Sequence, residues 1–188
     1  TSGSPTGSTG TTEGTTGGVT NTDRTPIRVG FEIIKGGNAF IGVAFGTPVN
    51  FGDGRIEVNS IVKDVNARGG IGGRPIVPVF GEWNVADGDA GRDADCRQMT
   101  EDGKVSFIIT VVNISQAYVA CGAKHGVPIV NSSFGAGDEG LYGLYNDFLY
   151  SPSLLNLNRE LRLVLESLRD TKRMSPAVKT GVLTTNRV

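Results

Sequence analysis

Asp87, Asp89, Asp93 and Asp95 crowd one short stretch of the chain and raise the question of a calcium loop. The ligand order, the central glycine and the closing glutamate of an EF-hand are missing. Acids in the first turns of a helix are favoured by its dipole, by roughly 0.3 to 1 kcal/mol each, and these aspartates are read as such a helix start. Ser115 and His125 supply a hydroxyl and an imidazole, but the nucleophile elbow of an acyl-transfer enzyme is absent, and catalysis is not expected. His125 is the sole histidine and cannot build a multi-histidine metal site. It precedes Gly126 where a helix should end, the ordinary place for a base facing a helix C-terminus. The run Gly69-Gly70-Ile71-Gly72-Gly73 looks like a phosphate-cradling loop, yet it follows a helical stretch and opens a strand. A dinucleotide fingerprint needs the reverse order, because the helix N-terminus supplies the free N–H groups. Glycine here is read as the left-handed stop of a helix. No cofactor and no metal are expected.

The elements that would position these residues follow from periodicity. Val58, Ile61, Val62 and Val65 fall at i, i+3, i+4 and i+7 and predict an amphipathic helix near Asp53 to Arg68. Ile76, Val77, Val79 and Phe80 predict a strand buried on both faces. Along the chain, strands Ile27 to Ile34, Pro75 to Phe80, Val105 to Val112 and Val127 to Ser132 alternate with that helix and with helices near Ala86 to Asp102 and Gln116 to Lys124. Such alternation predicts an α/β fold, a doubly wound parallel sheet with helices on both faces. Ligands of such sheets bind beyond the carboxyl ends of the strands, so the loops near Lys35, Gly81, Val112 and Asn131 are the ones to inspect. Past Pro152 an amphipathic charged helix carries Leu157, Leu161, Val164 and Leu168 on one face, and a last strand, Val178 to Thr185, follows. One helix and one strand cannot form a separate core, so this part is read as the beginning of a unit completed elsewhere.

Composition excludes other classes. The net charge is −1 and Lys and Arg are scattered, which argues against nucleic acid as a partner. No run approaches the length of a membrane span. Residues 1–25 are dominated by Thr, Gly and Ser with Val19 as the clearly apolar residue, so they are expected to be a disordered tether. A natural tether to a membrane or wall anchor and an artificial linker both fit that composition. Cys96 and Cys121 sit on predicted helices either side of one strand, neighbours on one sheet face, so a disulfide between them is expected; two free buried thiols are the alternative. A bridge implies an oxidising compartment.

The stretch Gly54 to Phe80, the run Thr100-Glu101-Asp102-Gly103-Lys104-Val105 leading into Phe107-Ile108-Ile109, and Lys124-His125-Gly126-Val127-Pro128-Ile129-Val130 together resemble type I periplasmic binding proteins. Within these they resemble the branched-chain amino-acid (Leu/Ile/Val) receptors of ABC importers. The resemblance covers roughly residues 27 to 186. It implies two similar lobes with the ligand between them: residues 26–150 as the first lobe, 151–188 as a hinge crossing and the truncated start of the second. It also implies an extracytoplasmic, lipoprotein-like receptor that is not an enzyme. Its partners would be a small amino-acid-like or carboxylated ligand and the membrane subunits of an ABC importer, with membrane association only through the tether. A sensing or scaffolding envelope protein on the same fold is the alternative.

Carried onto this chain, the resemblance makes Phe51, ahead of the first helix, an apolar wall of the pocket; a core phenylalanine at the base of the helix is the other reading. In the third loop, Asn113, Ser115 and Gln116 stand where relatives bind a ligand carboxylate, although Thr110 replaces their usual glycine. Ser115 is by default also a helix N-cap, and capping and anion binding can share that place. After the fourth strand, Ser132, Ser133 and Phe134 stand where relatives hold the ligand ammonium, without the usual threonine. Trp83 is left outside the predicted site.

Overall fold

A computed structural model describes residues 23–37, 42–43, 46–47, 50, 52–111, 114–132, 137–152 and 157–173. Residues 1–22 of the tether expected over 1–25, and the strand expected at Val178 to Thr185, lie outside these. Five strands, β1 (Ile27–Lys35), β2 (Ile76–Asn84), β3 (Phe107–Thr110), β4 (Ile129–Asn131) and β5 (Leu149–Tyr150), form one sheet in the order β2-β1-β3-β4-β5. Every pairing is parallel. The crossovers contain helices α1 (Gly54–Ala67), α2 (Gly88–Arg97), α3 (Gln116–Lys124) and α4 (Glu139–Leu144), and α5 (Leu157–Asp170) follows β5.

The alternating residues of β1 explain the layering. Ile27, Val29 and Phe31 pack with Ile76, Phe107 and Ile109 against Val58, Val62 and Val65 of α1. On the other face, Ile108 and Ile129 pack with Cys96 and Met99, and with Tyr118 and Cys121 of α3. Gly30 lies on that second face, and a Cβ there would stand 2.9 Å from the sulfur of Met99. The absent side chain lets the helical layer approach the sheet. The disulfide between Cys96 and Cys121 ties α2 to α3 with its Cα atoms 6.4 Å apart. It is buried in the second core.

Two readings of side-chain burial need correction. Val77 is 37% exposed and Ile61 is 62% exposed. Both follow from sheet order: β2 lies at the edge, so Val77 lacks a covering neighbour, and α1 buries only the side of its apolar stripe that meets the sheet. The segment from Ala86 to Asp102 is a 3-10 turn at Val85–Asp87, then α2, then a π turn at Gln98–Asp102. The short helix α4 adds to the elements expected from periodicity, and Leu149-Tyr150, at the end of the expected first lobe, pairs with β4 as the fifth strand.

Local chemistry accounts for the glycine turn. Asn66 donates from its amide to the carbonyl of Ile76 and accepts from the Ile76 N–H, at 2.9 and 2.7 Å, fastening the end of α1 to the start of β2. Between them Gly70 has φ +73°, and a Cβ there would fall 2.0 Å from the Arg74 carbonyl oxygen, so the turn admits glycine alone. Asp23 to Thr25 also bind this region, with Arg24 donating to the Gly73 carbonyl at 2.8 Å and Arg74 to that of Thr25 at 2.7 Å. Among the described residues no helix is long and apolar enough to cross a membrane.

Candidate functional site

Because all five strands run the same way, their carboxyl ends share one rim, and the connections leaving it carry the candidate residues. At its centre β3 ends at Thr110, which is fully buried. Ser132, just past β4, donates to the Thr110 carbonyl from its backbone N–H at 2.9 Å and from its hydroxyl at 3.1 Å. Ser115 has extended backbone geometry and its hydroxyl oxygen accepts from the N–H of Tyr118, so it is the N-cap of α3. The two serines therefore have opposite spare capacity. Ser115 has accepted a bond and retains its proton to donate, while Ser132 has given its proton and retains lone pairs to accept.

On the other side of the rim, Asp53 caps α1 by accepting from the Arg55 N–H at 2.9 Å. The Arg55 guanidinium donates to Glu82 at the end of β2, from Nε at 3.1 Å, and lies 4.6 Å over the ring of Phe80. Lys35 approaches the same carboxylate at 4.0 Å. The hydrogen bond from Arg55 and then its charge hold Glu82 below the usual carboxylate range. These groups are exposed, and such pairs contribute about 0 to 1 kcal/mol.

Beneath the rim lies a polar cluster within the second core. Glu32 on β1 accepts from Arg92 of α2, Nε to Oε1 at 3.1 Å and an Nη to Oε2 at 3.2 Å, and from the hydroxyl of Thr110. The Arg92 guanidinium lies over two rings, 4.4 Å from the centroid of Tyr118 and 5.2 Å from that of Trp83. Trp83 donates in turn to the Gly88 carbonyl at 2.9 Å. One turn after Arg92, Asp95 receives the Tyr118 hydroxyl at 3.4 Å on one oxygen, and its other oxygen has no hydrogen-bond partner among the described residues. Burial first, and then the charge of Glu32, push Asp95 up to about 7. Burial and the same two carboxylates push the Tyr118 phenol well above its ordinary range.

Of the residues singled out by sequence, Ser115, Gln116 and Ser132 are described and stand on the β3–β4 part of the rim, with Gln116 exposed in the first turn of α3. Phe51, Asn113, Ser133 and Phe134 lie outside the described residues. Cys96 and Cys121 are joined as expected. Asp95 requires correction. It is not a solvated acid at a helix start but a buried one, because α2 begins only at Gly88 and Asp95 falls on the face shared with Arg92 and Cys96. The cluster had a sequence signal: Glu32 interrupts the apolar run of β1, and an acid in a strand interior demands a partner. Among the described residues no group of three or more His, Cys, Asp or Glu side chains is placed to hold a metal.

No protein-family model and no curated protein matches the chain. Solved structures do match in fold. A possible leucine/isoleucine/valine-binding protein from Rhodopirellula baltica superposes with a TM-score of 0.55 at 12% identity, over 81% of this chain and 38% of that one. The branched-chain amino acid transporter substrate binding protein of Streptococcus pneumoniae, solved with isoleucine, gives 0.48 at 24% identity, over 68% of this chain and 33% of that one. The chain thus spans well under half the length of either structure. In fold, its five-stranded parallel sheet with interleaved helices matches one lobe of a type I periplasmic binding protein.

Proposed function

We propose that this chain is the ligand-capturing first lobe of an extracytoplasmic solute receptor, which takes a small zwitterionic or carboxylated ligand and presents it to an ABC importer. The observation that carries this reading is the complementary hydroxyl pair at the rim. Ser115 retains a donor at the N-terminus of α3, where the helix dipole favours a carboxylate. Ser132 retains an acceptor suited to an ammonium or amide N–H. An amino acid offers both groups a short distance apart. On this reading residues 26–150 form the lobe, residues 151–188 lead into a second, and Phe51, Asn113, Gln116, Ser133 and Phe134 complete the near wall of the pocket. The buried disulfide suits the oxidising compartment in which such receptors work. Binding and release, without bond making, are the whole of the chemistry.

The test is an amide-resolved NMR titration of the chain with leucine, its amide and its decarboxylated amine. The amino acid is expected to shift the amides of Ser115 to Tyr118 and of Ser132. The amine should lose the Ser115 effect and keep that of Ser132. No movement at either serine with any of the three would reject the reading.

A further inference from the structure

The buried cluster beneath the rim sets two carboxyl groups, Glu32 and Asp95, beside the guanidinium of Arg92. Asp95 faces Glu32 from β1, Glu82 from β2, Arg92 on its own helix and the Tyr118 phenol from α3. Arg92 donates two hydrogen bonds to Glu32, and Thr110 donates to the same carboxylate. Asp95 is 3% exposed, and its Oδ1 is buried without a donor among the described residues. The strand register sets Gly81 opposite Glu32. A Cβ on Gly81 would stand 2.0 Å from that same Oδ1, so the carboxyl is pressed onto the bare backbone of β2. An ionised carboxylate in such a place is strongly disfavoured, whereas a neutral carboxyl is tolerated.

We propose that the buried Asp95 carboxyl, pressed onto Gly81, holds a proton and that its exchange with solvent makes the cluster a pH-responsive device governing the end of β3 and the start of α3. The wiring runs through bonds already described. Glu32 is bound by the hydroxyl of Thr110, whose carbonyl holds Ser132. Asp95 is bound by the hydroxyl of Tyr118, whose N–H is capped by Ser115. With the proton present, Arg92 balances one negative charge and stays on Glu32, over its two rings. Once the proton leaves, a second carboxylate competes for the guanidinium, the Tyr118 hydroxyl binds Asp95 more strongly, and the contacts on Glu32 readjust. Trp83, the only tryptophan, stacks on that guanidinium and reports the change. The device does not depend on which ligand occupies the rim.

The experiment follows the aspartate carboxyl carbons of the isotopically labelled chain by NMR from acid to mildly alkaline pH, with Asp95 assigned by through-bond correlation in the unaltered protein. Its resonance is expected to titrate near pH 7, apart from the other aspartates, and to be missing in Asp95→Asn. The amides of Thr110 and Ser115 and the Trp83 indole should shift with the same midpoint. In Glu32→Gln the Asp95 midpoint should move to lower pH, because a repelling charge is gone. Titration of Asp95 alongside the exposed aspartates would overturn the proposal. So would a midpoint near neutrality that Thr110, Ser115 and Trp83 fail to follow.

Discussion

Replacing Arg92 by methionine tests whether the buried cluster is organised by its one guanidinium. The substitution keeps an apolar stem of similar length but deletes two charge-assisted bonds to Glu32 and the stacking on Tyr118 and Trp83. Hydrogen bonds to charged groups contribute about 1.5 to 3 kcal/mol each, and a desolvated cation–π contact can add about 2 kcal/mol. Those gains are offset in part by the desolvation of Arg92 itself, which the variant no longer bears. Breaking one partner out of a buried pair typically costs about 3 to 5 kcal/mol, a large share of the roughly 5 to 15 kcal/mol available to a domain. Urea unfolding at pH 7, followed by circular dichroism so that the signal is independent of Trp83, should show a loss of about 4 kcal/mol for Arg92→Met. Adding Glu32→Gln removes the stranded charge and should restore about half of that loss or more. A loss below about 1 kcal/mol for Arg92→Met would mean that the pair behaves as a surface ion pair, and strictly additive effects of the two substitutions would show that they do not interact; either result would refute the reasoning.

The remaining predictions concern the same core. Since burial raises Asp95 to about 7 in the folded chain against an ordinary value near 4, the folded state holds the proton more tightly. Its contribution to stability is therefore full below about pH 4, declines as pH rises toward about 7, and is flat beyond, a change of at most about 4 kcal/mol that Asp95→Asn should flatten in denaturant melts across that range. Reduction of the Cys96–Cys121 bridge, which closes a separation of 25 residues, should lower stability by about 3.5 kcal/mol in a melt run with and without reductant. Gly81→Ala drives a methyl into the Asp95 carboxyl and the end of Met99, and calorimetry should show a loss of about 1 to 3 kcal/mol, whereas alanine at Gly143, where nothing stands in its way, should be nearly neutral.

The alternation of apolar strands with amphipathic helices, the stop at the glycine run and the cap at Ser115 were legible in the sequence, because each depends on residues close together in the chain. Period, capping and positive φ are local properties. The disulfide was legible one step further, through the rule that successive helices of such a sheet can share a face. Sheet order was not: that β2 is an edge strand, leaving Val77 and the flank of α1 at Ile61 exposed, depends on which strands lie side by side. Nor was the cluster of Glu32, Arg92, Asp95, Thr110 and Tyr118, whose members come from β1, α2, β3 and α3. An aspartate in a run of acids near a helix start looks like a dipole-stabilising surface acid in sequence, and only the packing of α2 onto Gly81 makes it a buried one. The sequence by itself determined which elements form and which hydroxyls stand at the strand ends; the tertiary structure alone decided which charges were removed from water together, because desolvation is a property of three-dimensional surroundings.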